Sequence, residues 1–161
     1  MAYASKELKA KVLGLIKDHA KKSNIKLSVS AKITNCTTLS VNVSACSIDL
    51  KGNLIETLTA RIKEMESSGI YGISEYEQLQ KCLMANVNRC VDDMEFYGLE
   101  FSDSKLDQCF SGEALAFVQE LKKAVLCDYH NNSDPYTDYF DHAYYWDFYI
   151  GKNKGGFIHK S

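Results

Sequence analysis

The stretch that decides the fold is "KLSVSAKITNCTTLSVNVSAC", running from Lys26 to Cys46. Leu27, Val29, Ala31 and Ile33 alternate with Ser28, Ser30 and Lys32; after "NCTT", Leu39, Val41, Val43 and Ala45 alternate with Ser40, Asn42 and Ser44. Period two sends every second side chain to the same side. The reading is therefore a β-hairpin, about 26–33 and 38–46, with one buried and one polar face. A sheet buried on one side must be covered, and the flanking segments are patterned to cover it.

Upstream, Ser5 stands as the cap of a helix whose Leu8, Val12, Leu15, Ile16 and His19 follow the helical spacing. Lys9, Lys11, Lys17, Lys21 and Lys22 take most of the opposite face. Downstream, "DLKGN" reads as a turn, and Asn53 with Glu56 as a capping box opening a helix on Ile55, Leu58, Ile62 and Met65. "ESSGIYG" ends that helix. Ser74 and Glu77 form a second capping box, followed by Leu79, Leu83, Val87, Cys90 and Met94 at near-heptad spacing. Such a stripe serves either as core or as the seam of a homodimer. A last helix starts from about Gly112, with Leu115, Val118, Leu121 and Val125 on one side, and runs out at the turn formers of "CDYHNNSDP".

A third strand closes the pattern. From Ala143, the residues Tyr144, Trp146, Phe148 and Ile150 alternate with Tyr145, Asp147 and Tyr149. One side is apolar and the other carries tyrosines and a carboxylate, as expected of an antiparallel strand over helices. The expected architecture is α+β: an antiparallel sheet of at least three strands (about 26–33, 38–46 and 143–150) with helices packed on one face. The whole chain, 1–161, reads as a single domain, with a flexible basic tail from about 152.

Charge is unevenly distributed. The formal net charge is −2, but residues 1–91 sum to +5, residues 92–147 to −10, and the last segment to +3. Such polarity bears on partners more than on folding. The six cysteines include no Cys-x-x-Cys pair, and a chain of this length needs no staples, so reduced, structural thiols are expected. No apolar run reaches the length of a membrane span. The N-terminus is polar and amphipathic, without a basic cap followed by an apolar block, so a cytoplasmic protein is the expectation.

No sequence signature names a reaction. G-x-S-x-G, G-x-x-x-x-G-K-[ST] and G-x-G-x-x-G are all missing, and "GKNKGG" has no helix of useful length behind it to hold a phosphate. Asp128, His130, Asp134, Asp138, Asp141 and His142 offer metal-binding side chains, but not at the spacing of H-E-x-x-H or of an EF-hand loop. The expectation is a non-enzymatic protein with no cofactor and no metal.

What stands out is composition. Between Asp128 and Tyr149, nine residues are aromatic and five are aspartates. Part of this is the third strand. The rest, with tyrosine beside carboxylate on an irregular segment, has the make-up of a binding surface, although aspartates also cap turns and Phe140 can plug the sheet end. The candidate surface comprises Asp134, Tyr136, Asp138, Tyr139, Asp141, Tyr145, Asp147 and Tyr149.

The N-terminal helix and Ser/Val-rich hairpin, followed much later by "SDPYTDYFDHAYYWDFYIGK", resemble the large-polyvalent-protein-associated domains of phages and plasmids. The matching residues are Asp138, Tyr139, Phe140, Asp141, Tyr144, Tyr145, Ile150, Gly151 and Lys152; the middle of the chain has no counterpart. The resemblance implies an accessory protein of a mobile genetic element that counters host defence, and it carries over no catalytic residue. Together with the charge pattern, this points to an acidic, tyrosine-rich inhibitor that binds, in the host cytoplasm, the basic nucleic-acid-binding surface of a host defence protein. One alternative is a nucleic-acid-binding accessory domain using the basic helix and hairpin, against which the −10 segment and a pI near 6.1 both argue. A metal-dependent phosphoesterase is the other.

Overall fold

The computed structural model describes residues 2–67, 88–93, 99–101, 106–133, 143–151 and 155–160. In chain order these form α1 (Lys6–Lys22), β1 (Leu27–Thr34), β2 (Thr38–Cys46), α2 (Leu50–Ser67), β3 (Leu99–Phe101), α3 (Leu106–Cys109), α4 (Gly112–Val125), β4 (Tyr145–Ile150) and β5 (Ile158–His159). The class is α+β. Residues 88–92 are also helical, but most of the near-heptad segment from Ser74 to Met94 lies outside the described residues.

α1 begins as its sequence demands. Ser5 Oγ accepts from Leu8 N at 3.0 Å, which satisfies one of the donors a helix start leaves unpaired. Leu8, Val12, Ile16 and Ala20 are buried; Leu15, expected among them, is 42 % exposed because its position rolls off the covered stripe. The helix stops at Asn24, whose φ of 54° is left-handed. Ile25 N reaches Ala20 O at 2.8 Å and Asn24 N reaches Lys21 O at 3.2 Å, a Schellman turn with asparagine in the glycine position.

The hairpin follows the alternation. β1 and β2 pair antiparallel from Leu27↔Cys46 to Thr34↔Thr38, with a bulge between Ser28 and Val29. Leu39, Val41, Val43 and Ala45 are buried on the inner face. α1, α2 and α4 contribute Val12, Ile16, Leu50, Leu54, Val118 and Leu121 to the same core. Each such side chain, fully buried, contributes about 1.5–3 kcal/mol before entropy is subtracted.

The sheet is mixed rather than wholly antiparallel. Its order is β1-β2-β4-β3, with β5 also on β2. β4 lies parallel to β2 and antiparallel to β3. The cause is the route of the chain. His19 stacks on Phe117 at 6.2 Å, while Lys11 meets Asp128, so α4 runs antiparallel to α1. It returns the chain to the hairpin-turn end, and β4 must leave from there in the direction of β2. Alternation encodes which face a strand buries and is silent about its direction.

One further expectation changes. α2 opens at Leu50, with Asp49 Oδ1 accepting from Gly52 N at 2.9 Å, so Asn53 is not its cap. Asn53 instead lies one turn inside, where Oδ1 accepts from Ser111 N at 3.0 Å and ties α2 to the start of α4. The basic segment beyond about 152 contains β5, whose Ile158 and His159 pair parallel with Ala45 and Cys46. Lys160 Nζ then reaches Ser28 Oγ at 2.8 Å. Among the described residues no helix is long and apolar enough to cross a membrane.

Candidate functional site

β4 sorts the aromatic run into structural and outward groups. Tyr144, Phe148 and Ile150 are buried and Trp146 is half-buried. Tyr144 OH donates to Val125 O at 2.6 Å, and Tyr129 meets the Tyr144 ring edge-on at 5.5 Å. Burial pushes the Tyr144 hydroxyl up to about 12. Tyr144 thus ties α4 to the sheet, and the buried Tyr144 and Phe148 rings are not available to a partner.

Tyr145, Asp147 and Tyr149 take the alternate positions, on the face opposite the described helices. The β2–β4 register sets Thr38 beside Tyr145, Ser40 beside Asp147 and Asn42 beside Tyr149. Ser40 Oγ donates to Asp147 Oδ2 at 3.0 Å. Asn42 Nδ2 donates to Gly151 O, while Asn42 Oδ1 is covered and has no donor among the described residues. Tyr145 is 50 % exposed. A carboxylate held by a hydroxyl thus stands between two tyrosines on one strand face.

The hairpin-turn end of the sheet adds a residue that sequence reading missed. Tyr3 is 65 % exposed. Its backbone is fixed, because Tyr3 N donates to Ala143 O and Ala4 N to Cys36 O, both at 2.8 Å, with Ala4 itself buried. Tyr145 N donates to Thr37 O at 2.9 Å at the same end. Nothing in the sequence marks Tyr3, since a lone aromatic ahead of a helix cap has no period to betray its neighbours.

Asp134, Tyr136, Asp138, Tyr139 and Asp141 lie outside the described residues, as do Phe140 and His142. The ends of the segment that carries them are described: Ala143 N donates to His130 O at 3.0 Å. Among the described carboxylates of the acidic stretch, several are matched by cations. Asp128 pairs with Lys11 at 2.6 Å, Glu120 with Lys123 at 2.5 Å and Asp93 with Arg89 at 3.9 Å. The Asp128 carboxylate holds the Lys11 ammonium above its usual range. Among the described residues, Asp147 is in no such pair.

Cys36, Cys46, Cys90, Cys109 and Cys127 are in no disulfide; burial raises the Cys46 and Cys127 thiols and so keeps them protonated. Among the described residues no group of three His, Cys, Asp or Glu side chains is placed to hold a metal. An open cleft of about 560 Å³ is lined by Gln119, Lys122, Lys123 and Leu126, at the C-terminal end of α4. No protein-family model, curated protein or solved structure matches the chain.

Proposed function

We propose that the chain is a non-enzymatic accessory protein of a phage-type mobile element, acting in the host cytoplasm. It binds and inhibits a host nucleic-acid-handling defence protein through an acidic, tyrosine-rich surface. The observation that carries this reading is the row Tyr145, Asp147 and Tyr149 on the side of β4 that no described helix covers, with the carboxylate oriented by Ser40. Rigid tyrosines offer large contact area at low entropic cost, and a carboxylate among them favours a cationic partner. The segment with Asp134, Tyr136, Asp138, Tyr139 and Asp141 has its two ends joined at His130 and Ala143, beside exposed Tyr3 and Tyr145.

The test is displacement. Purified host DNA- and RNA-binding enzymes are loaded with labelled nucleic acid, and the 161-residue chain is titrated in. Release is expected from at least one of them, declining as salt rises, and lost when Asp134, Asp138 and Asp141 are all changed to Asn. Release that survives the triple change undiminished overturns the reading.

A second reading has nucleic acid on α1, where Lys17, Lys21 and Lys22 are exposed. Lys11 is already committed to Asp128, which thins that basic face. Retardation of bare DNA at physiological salt, abolished by Lys17→Gln with Lys21→Gln, is the result this reading requires.

A further inference from the structure

We infer that the outward row of β4 is a guanidinium clamp, which selects partners that present arginine rather than lysine. This rests on the protein-binding role proposed above and names the chemistry of the contact. Tyr145, Asp147 and Tyr149 are spaced two residues apart on one strand face, so neighbouring side chains start about 6.5–7 Å from one another. Asp147 is the middle member, and its orientation is fixed by Ser40 Oγ at 3.0 Å on Oδ2. Among the described residues nothing donates to Oδ1, and Oδ2 keeps a second lone pair.

A planar guanidinium matches that arrangement in two ways. It donates two parallel N–H bonds to a carboxylate, and its flat face stacks on an aromatic ring while the edge is so engaged. An ammonium is a strongly hydrated point charge; it takes the carboxylate but gains little from the flanking rings. Tyr3 is a further exposed ring at the hairpin-turn end, where its own N–H donates to Ala143 O, two residues before Tyr145. Its 65 % exposure, on a backbone pinned at Tyr3 and Ala4, presents the ring to a partner without ordering a loose segment. The occupant is an arginine-bearing basic protein surface, and the −10 charge of residues 92–147 favours that sign.

The probes are fluorescein-labelled nona-arginine and nona-lysine peptides, read by anisotropy against the 161-residue chain at roughly 150 mM salt. The arginine peptide is expected to bind about fivefold tighter, the gain of a ring contact at an exposed site. Tyr3→Leu with Tyr145→Leu should bring the two affinities together by weakening the arginine peptide alone. Asp147→Asn should weaken both. These side chains are exposed or half-buried, and unchanged melting of each variant shows that the fold is intact. Equal binding of the two peptides by the unaltered chain, or a preference that survives the double leucine change, overturns the clamp while leaving the acidic surface standing. If neither peptide binds, the acidic-surface reading itself has failed.

Discussion

Ser40 and Asp147 face each other across the parallel β2–β4 pair, with Oγ donating to Oδ2 at 3.0 Å on the side of the sheet that no described helix covers. The contact is the only described side-chain hydrogen bond to Asp147, and it joins the hairpin to a strand more than a hundred residues later in sequence. Removing the donor leaves a half-buried carboxylate to water. Ser40→Ala is expected to cost about 1 kcal/mol in urea unfolding. Asp147→Asn, which keeps an acceptor, should cost less, and the double variant should fall short of the sum, because the two changes remove one shared interaction. Strict additivity would show that the bond contributes nothing.

Tyr144 fastens β4 to the end of α4 through Val125 O, and its hydroxyl is raised to about 12 by burial. Tyr144→Phe should cost about 1–2 kcal/mol at neutral pH, the cost of a buried carbonyl left without its donor. The pH dependence has a definite sign. The folded value is above the unfolded value near 10, so the fold favours the protonated phenol, and that preference is fully present below pH 10. Stability is then lost as pH rises from about 10 to 12. Melting temperature followed from pH 8 to 12 should show a steeper alkaline fall in the parent chain than in Tyr144→Phe; parallel curves would refute it.

Much of this architecture is legible from spacing. The alternation from Leu27 to Ala45 assigns the hairpin and its buried face, Ser5 announces α1, and the sorting of Tyr144 and Phe148 inward and Tyr145 outward follows from period two. What stays hidden depends on contacts between distant segments. The parallel direction of β4 follows from the path of α4, which no local pattern records. Asp49 outcompetes Asn53 as the cap of α2 because Asn53 finds a better partner in Ser111, 58 residues on. The candidate face is half legible for the same reason: Asp147 and its tyrosines can be read from alternation, whereas Ser40 joins Asp147, and Tyr3 comes to the Ala143 end of the strand, only through pairing.

Asn53 holds two elements at once. Its Oδ1 accepts from Ser111 N, the first turn of α4, and Thr57 Oγ1 lies 2.9 Å from Ser111 Oγ in the same cluster. Ser111 therefore spends its hydroxyl on α2 and makes no side-chain cap to its own helix. Asn53→Ala should free that end of α4 and cost about 1–2 kcal/mol, with faster amide exchange over the first turn from Gly112. Asn53→Asp keeps the acceptor toward Ser111 N and should recover most of the loss. Equal destabilisation by both would assign the effect to packing instead.

Cys36 marks the one costly turn residue of the hairpin. Asn35 and Cys36 have φ of 53° and 57°, and Thr37 N closes on Thr34 O at 3.2 Å, the geometry of a type I′ turn. Asparagine tolerates the left-handed region, but a cysteine Cβ is crowded there, at a cost of roughly 1–2 kcal/mol. Glycine escapes that clash and surrenders part of the gain to a more flexible unfolded chain. Cys36→Gly should therefore stabilise by about 0.5–1 kcal/mol, read as a higher urea midpoint with an unchanged slope. Cys36→Ala, which keeps the Cβ, should leave the midpoint near that of the parent chain. A glycine variant less stable than the alanine variant would mean that the turn relaxes the strain by another route.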